Sequence, residues 1–253
     1  GGNGPPAARL KGYNTDLAVL AEPTGMELCP ACLGALLGDL RLRGRPGMPY
    51  TGSRIPNPVQ GLGRVIELFD QWLTRWREES SHFLFQDQGK ELNVVLWNLG
   101  SGEDETPQMG TPLEAKLSWI VWCHPGMTEE EFYHRFRSFW EEHARHDERL
   151  TPFSMEIIPT YHYVRPWETD ARHSGVQELA QVMGEYTEND AVISGAPLSC
   201  DLAVYGKEGG MPSIILGPRG DNLHAPDEWV LVEDVLTLTG VFALLALRWC
   251  GTA

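Results

Sequence analysis

Between Leu33 and Tyr161 the hydrophobic period switches back and forth between about two and about 3.6 residues, and the order of those switches leaves few folds open. Leu36, Leu40 and Leu42 alternate with Leu37, Asp39, Arg41 and Arg43, as a strand with one buried face is written. From Gly61 onward, Leu62, Val65, Ile66, Phe69, Trp72, Leu73 and Trp76 recur at helical spacing, an aromatic-rich stripe suited to core or interface packing. Leu92 to Leu99 and Leu113 to Trp122 alternate again and read as an antiparallel pair across a polar, Gly-rich link. Thr128 to Glu131 has the form of a capping box, and Phe132, Phe136, Phe139 and Trp140 give the helix after it an apolar face. Phe153 to Tyr161 closes the series as another alternating strand. The order β-α-β-β-α-β is the split βαβ, ferredoxin-like unit, four strands with two helices on one face. His134, His143 and His146 lie on or beside its charged second helix and read as solvated.

The flanks are written as an α/β layer, so this unit reads as an insertion. After a Gly- and Pro-rich lead (residues 1–12, without the pattern of a phosphate loop), Leu17 to Ala21 is an apolar run, expected as a strand buried on both faces. It stops at Glu22-Pro23-Thr24-Gly25; the proline fixes the exit and presents Glu22 at the strand's carboxyl end, as a turn carboxylate or as a ligand. Beyond Arg165-Pro166, Val176, Leu179, Ala180 and Met183 mark a helix. Ala191 to Ser194 is a short strand, and a loop follows it to Asp201. Ile214, Ile215 and Leu216 form an apolar run broken by Gly217-Pro218, His224 follows two residues before Pro226, and Val235 to Trp249 is a closing helix. In open α/β sheets, chemistry collects beyond the carboxyl ends of strands. A neutral imidazole there is a common metal ligand, with Asp227 or Glu228 near enough in sequence to orient it, although a single loop histidine is more often ordinary.

Length and charge narrow the class. At 253 residues there is core enough for one large domain or two modest ones. Thirty-five acidic against 20 basic residues, a formal charge of −15, argue against nucleic acid as partner. The apolar run Val241 to Leu247 is too short to cross a bilayer. Five scattered cysteines argue against a disulfide framework and for a reducing, cytoplasmic location. Cys29-Pro30-Ala31-Cys32 lacks the second pair a zinc ribbon needs and opens a strand pattern instead of a helix, so it reads as two buried thiols. No Gly-x-Ser-x-Gly elbow occurs.

Taken together, Asp16-Leu-Ala-Val-Leu-Ala-Glu-Pro-Thr-Gly25, the inserted unit and Gly217-Pro-Arg-Gly-Asp-Asn-Leu-His-Ala-Pro-Asp-Glu-Trp-Val230 resemble the carboxyl-terminal two-thirds of a di-zinc family. That family comprises aminoacylases, acetylornithine deacetylases, succinyl-diaminopimelate desuccinylases and glutamate carboxypeptidases. The resemblance implies a partial zinc-exopeptidase-like α/β domain (residues 1–30 and 164–253) with an inserted ferredoxin-like lid and dimerisation domain (residues 31–163). It implies hydrolysis of an amide bond in an N-acyl amino acid or peptide by a water activated between two divalent ions, zinc first and cobalt as the alternative. Glu22 would ligate one ion and His224 the other, with Asp201 and Glu228 supporting them from behind, and the lid would join two copies into a homodimer. No nucleic acid and no membrane enter this picture.

Departures from the family pattern qualify the expectation. The bridging aspartate, a first histidine and the paired glutamates, including the general base, have no counterpart here and would lie upstream of Gly1, so the chain alone is expected to be inactive. Where the family's lid carries Gly, three residues and then His, this chain has Gly44 to Met48, and a thioether cannot donate to an oxyanion. A strand position that often carries a carboxylate-binding Arg corresponds to Trp122. The family's lid Asn before a proline has no match at Thr106-Pro107 or Thr111-Pro112. Losing one charge-stabilising donor can cost ~10²–10³ in rate. These losses fit either an altered, less acidic substrate or a non-catalytic relative kept for binding or dimerisation.

Overall fold

The computed structural model describes residues 3–48, 54–86, 91–101, 110–159 and 163–251. Its longest strands, β3 (Gly34–Arg43) and β5 (Glu114–Cys123), pair antiparallel without interruption from Gly34↔Cys123 to Arg43↔Glu114. β4 (Val94–Gly100) pairs with β5, with an irregularity between Leu96 and Asn98, and β6 (Ser154–Pro159) pairs with the other edge of β3. The strand order β4-β5-β3-β6, with one helix between β3 and β4 and another between β5 and β6, is the split βαβ arrangement read from the period switches. The Tyr161 end of the expected last strand lies outside the described residues.

Alternation decides which side of this sheet is covered. Leu36, Leu40 and Leu42 from β3, and Ala115, Leu117, Trp119 and Val121 from β5, are buried in one cluster. The helices α2 (Pro58–Glu79) and α3 (Glu129–His146) seal it. α2 starts ahead of Gly61, where the apolar spacing begins, because Asn57 caps it: its side chain accepts from the Val59 amide at 2.9 Å, and Pro58 opens the helix. α3 is capped as expected, with the Thr128 hydroxyl accepting from the Glu131 amide at 3.1 Å. Rings interlock between the helices and the sheet: Phe69 and Trp140 lie 4.8 Å apart, Trp119 and Phe136 4.5 Å, and Trp72 meets Phe136 edge-on at 5.1 Å. Such pairs contribute ~0.5–1.5 kcal/mol each beyond area burial. His134 and His146 are exposed, whereas His143 is half-buried, its Nδ1 2.8 Å from the Phe139 carbonyl.

The second sheet carries the flanks. β1 (Ala18–Leu20) runs parallel to β9 (Ser213–Ile215), and β9 meets β2 (Leu28–Cys32) antiparallel at Cys29↔Ile215. β2 also pairs parallel with β8 (Ile193–Ala196) and antiparallel with β7 (Trp167–Glu168). One face packs Leu28, Ile214 and Leu216 against α4 (Ser174–Thr187) and α6 (Val232–Cys250) through Val176, Leu179, Leu238 and Val241. On the other face Cys29, Cys32 and Ile215 meet Leu202 of the short α5 (Leu202–Gly206). β1 is half-buried instead of buried on both faces, because it is an edge strand of the sheet. β8 starts and ends two residues later than the sequence pattern places it, since Ala196 still pairs with Cys32. A short amino-terminal helix, α1 (Gly4–Leu10), lies against α5.

Two chain crossings and one turn join the sheets. A Cβ on Gly34 would stand 2.5 Å from Pro166 Cδ, so the outgoing and returning strands lie flush where the chain enters and leaves the four-stranded unit. The turn at Phe83–Phe85 follows α2 and presses the Phe85 ring onto β8, where a Cβ on Gly195 would be 2.4 Å away. Beside it, His82 Nε2 lies 3.1 Å from a Glu168 oxygen on β7.

Candidate functional site

Parallel pairing of β1 and β9 brings the loops at their carboxyl ends side by side. Leu20 pairs with Ile215, and the Leu216 amide donates to the Leu20 carbonyl at 3.0 Å. Beyond that point the chains close up. The Gly217 amide donates to Thr24 Oγ1 at 3.0 Å, the Met26 amide to the Gly217 carbonyl at 2.9 Å, and the Gly25 amide to the Pro218 carbonyl at 3.3 Å. A Cβ at residue 217 would fall 1.8 Å from the Glu22 carbonyl oxygen, so only glycine permits this approach. Glu22 itself is exposed on this rim.

From Gly217 the chain runs into a hairpin of β10 (Gly220–Asp221) and β11 (Trp229–Val230), with His224 exposed in its loop. Neither short strand was legible by period. The base of the hairpin is fixed by a buried carboxylate on the first turn of α6. Asp234 accepts from the Arg219 amide at 2.8 Å, from its Nε at 2.8 Å and from Nη2 at 2.6 Å. The guanidinium holds the Asp234 carboxyl below its ordinary range. Within the loop Asn222, His224 and Asp227 all take left-handed backbone, with φ of 58°, 60° and 60°. These residue types tolerate that region better than most, yet three in one short loop concentrate a backbone cost that accumulates at functional segments.

The remaining candidates lie apart from one another. Asp201 opens α5, its carbonyl accepting from the Val204 amide at 3.0 Å while its side chain makes no capping bond. Glu228 is exposed just before β11. The neighbouring Cys32 thiol, burial and the charge of Glu22 push the Cys200 thiol, next to Asp201, upward from its ordinary range. Met48 follows the Gly47↔Thr111 bridge, and its Sδ would lie 3.1 Å from a Cβ on Gly110. Trp122 packs against the aromatic core from β5, and its carbonyl accepts from Trp76 Nε1 at 3.0 Å. The region of Thr106-Pro107 lies outside the described residues.

Among the described residues no group of three or more His, Cys, Asp or Glu side chains stands close enough to hold a metal ion. The residues present therefore do not fit a di-metal centre by themselves. A cavity of about 760 Å³ opens elsewhere, between the β5–α3 turn and β7, lined by Met127, Thr128, Tyr163, Arg165 and Trp167, and touches none of the candidates. No helix among the described residues is long and apolar enough to cross a membrane.

Sequence reasoning missed a histidine at the junction of the two sheets. His124, just past β5, lies 5.9 Å from the His82 ring and 5.1 Å from Phe85, ring centre to ring centre, and both its nitrogens are buried without a hydrogen-bond partner. Burial, then the nearby His82, lowers it to about 4. Nothing in its sequence spacing marks it, because the contact arises from the fold.

Comparison with known proteins gives this geometry a context. Residues 9–248 match the family model described as peptidase family M20/M25/M40. No curated protein matches the sequence significantly. Among solved structures, an amidase of the hydantoinase/carbamoylase family from Burkholderia phymatum is similar at 15% identity and a TM-score of 0.65, with 92% of this chain and 54% of that chain covered. A tripeptidase from Staphylococcus aureus is similar at 12% identity and 0.65, covering 94% and 57%. A dipeptidase from Saccharomyces cerevisiae is similar at 11% identity and 0.64, covering 93% and 59%. This chain thus spans little more than half the length of each, and at such identities the likeness speaks for the fold. With the family model matched along nearly its whole length, the chain belongs to peptidase family M20/M25/M40.

Proposed function

We propose that this chain is the part of a metal-dependent amide-bond hydrolase, of N-acyl amino acid deacylase or peptidase type, that supplies Glu22 and His224 as metal ligands. The interlock of Glu22-Pro23-Thr24 with Gly217 is the observation that supports this most, because it ties the glutamate's loop to the root of the histidine's hairpin at the ends of two parallel strands. The left-handed backbone at His224 and the Asp234 anchor fit a loop held in a demanding shape. Asp201 and Glu228 support the ligands from behind. Two divalent ions, zinc before cobalt, belong to the complete site, and residues 1–253 alone neither hold them tightly nor turn over substrate. Residues 1–30 and 164–253 form the hydrolase layer and residues 31–163 the lid, through which two copies associate. A cytoplasmic location belongs to the same reading.

Two observations favour a second reading, that of a relative without catalysis, kept for binding or dimerisation. Met48 has no hydrogen to donate, and Trp122 is committed to core packing.

Metal analysis of residues 1–253, with assays on N-acetyl amino acids and dipeptides in zinc or cobalt, tests the first reading. The expected result is far less than one ion per chain, no turnover, and residual cobalt binding weakened further by Glu22→Gln and by His224→Ala. Two tightly held ions with chelator-sensitive turnover would overturn the claim that the chain is inactive alone. Residual binding untouched by both substitutions would overturn the ligand assignment.

A further inference from the structure

Two thiols far apart in the chain meet beside the candidate site, and the proposed hydrolysis uses neither. Cys32 ends β2 and is fully buried. Its partner in the parallel ladder is Ala196, and one residue on, the Leu33 amide donates to the Leu198 carbonyl at 3.0 Å. The chain after β8 is thereby folded back over the end of β2. Cys200, half-buried in that returning loop, then brings its thiol near enough to that of Cys32 for each to shift the ionisation of the other. Both sulfurs pack into the same small apolar cluster with Cys29, Ala196, Leu202 and Ile215. The Cys200 thiol, with the backbone at Trp167 and Cys200, lowers the Cys32 thiol from its ordinary range against burial, which raises it. Such lowering favours the thiolate, the form that reacts with peroxides and disulfides.

We propose that Cys32 and Cys200 form a reversible disulfide when the protein meets hydrogen peroxide, tying the loop before α5 to the end of β2. One sulfur attacks a peroxide oxygen and the O–O bond breaks. The departing hydroxide leaves as water with a thiol proton, and the attacking sulfur, now bonded to the transferred oxygen, becomes a sulfenic acid. The second sulfur then displaces that hydroxyl, which leaves as water with the remaining thiol proton as the S–S bond forms. Two thiols lose two hydrogens and two electrons to one peroxide, giving one disulfide and two waters. A dithiol reductant reverses the step. Because Asp201 follows Cys200 directly, the bond also fixes the residue proposed to support the metal ligands; only this consequence rests on the proposed function.

The test treats the folded chain, carrying Cys250→Ser to remove the exposed thiol, with hydrogen peroxide and reads two signals. Non-reducing peptide mass spectrometry should show the Cys32 and Cys200 peptides joined, with two hydrogens lost and both thiols restored by dithiothreitol. Thermal unfolding should shift upward by roughly 5–10 °C in the oxidised form, since the crosslink constrains a long stretch of unfolded chain. Cys200→Ser should abolish both the crosslink and the shift. Recovery of Cys32 and Cys200 as separate reduced or sulfinic residues, or crosslinking only after denaturation, would overturn the proposal. Each readout is covalent or thermal, so a failed assignment of Glu22 and His224 leaves this result standing on its own.

Discussion

Residue 217 shows how much one methyl group can decide. Glycine there lets two loops touch backbone to backbone, and an alanine Cβ would meet the Glu22 carbonyl at 1.8 Å, where no flexible side chain can yield. Gly217→Ala is expected to cost ~1–3 kcal/mol as an overpacking change, read as a fall in melting temperature of ~2–4 °C per kcal/mol; an unchanged melting curve would contradict the interlock. His124 makes a pH-dependent prediction. Held at about 4 by burial and by His82, against an ordinary value of 6.5, it stays neutral in the folded protein while the unfolded chain takes up the proton. Stability from this group is therefore fully present above pH 6.5 and is lost as the pH falls towards 4. The urea midpoint should drop across that window, and His124→Leu should flatten the drop; an equal slope in both proteins would count against it.

At the scale of elements, helix caps and register explain what was readable beforehand. Thr128→Ala should lower stability by ~1 kcal/mol by freeing the Glu131 amide at the start of α3, measurable as a shift in urea midpoint at constant slope. α2, α3, β3 and β5 were legible because each repeats its period long enough to stand out. β7, β10, β11 and α5 were not, because elements of two to five residues carry no period. The same limit applied at the site. Glu22 and His224 showed as short words with proline and glycine beside them. The Asp234 anchor, the Cys32–Cys200 pair and His124 depend on contacts between distant segments, which spacing along one chain does not encode. β1 was expected to be buried on both faces because its residues are uniformly apolar; being an edge strand of the sheet leaves it half-buried.

For the whole molecule, the proposed division into hydrolase layer and lid assigns separate work to the two sheets. One of the two edge strands of the four-stranded sheet, β4, shows Trp97 55% exposed and Leu99 52% exposed, apolar surface suited to joining two lids. Trp97→Glu should shift a dimer to monomer in sedimentation without loss of fold; a protein already monomeric as wild type would remove the dimer from the account. The central claim is that the rim carrying Glu22 and the hairpin carrying His224 serve one di-metal centre. Zinc-edge anomalous scattering from crystals of the protein made from its complete coding sequence tests it most directly. Two peaks are predicted, one ~2.0–2.2 Å from a Glu22 carboxylate oxygen and the other ~2.0–2.1 Å from a His224 ring nitrogen. Zinc bound away from both side chains, or no zinc at all, would contradict the account.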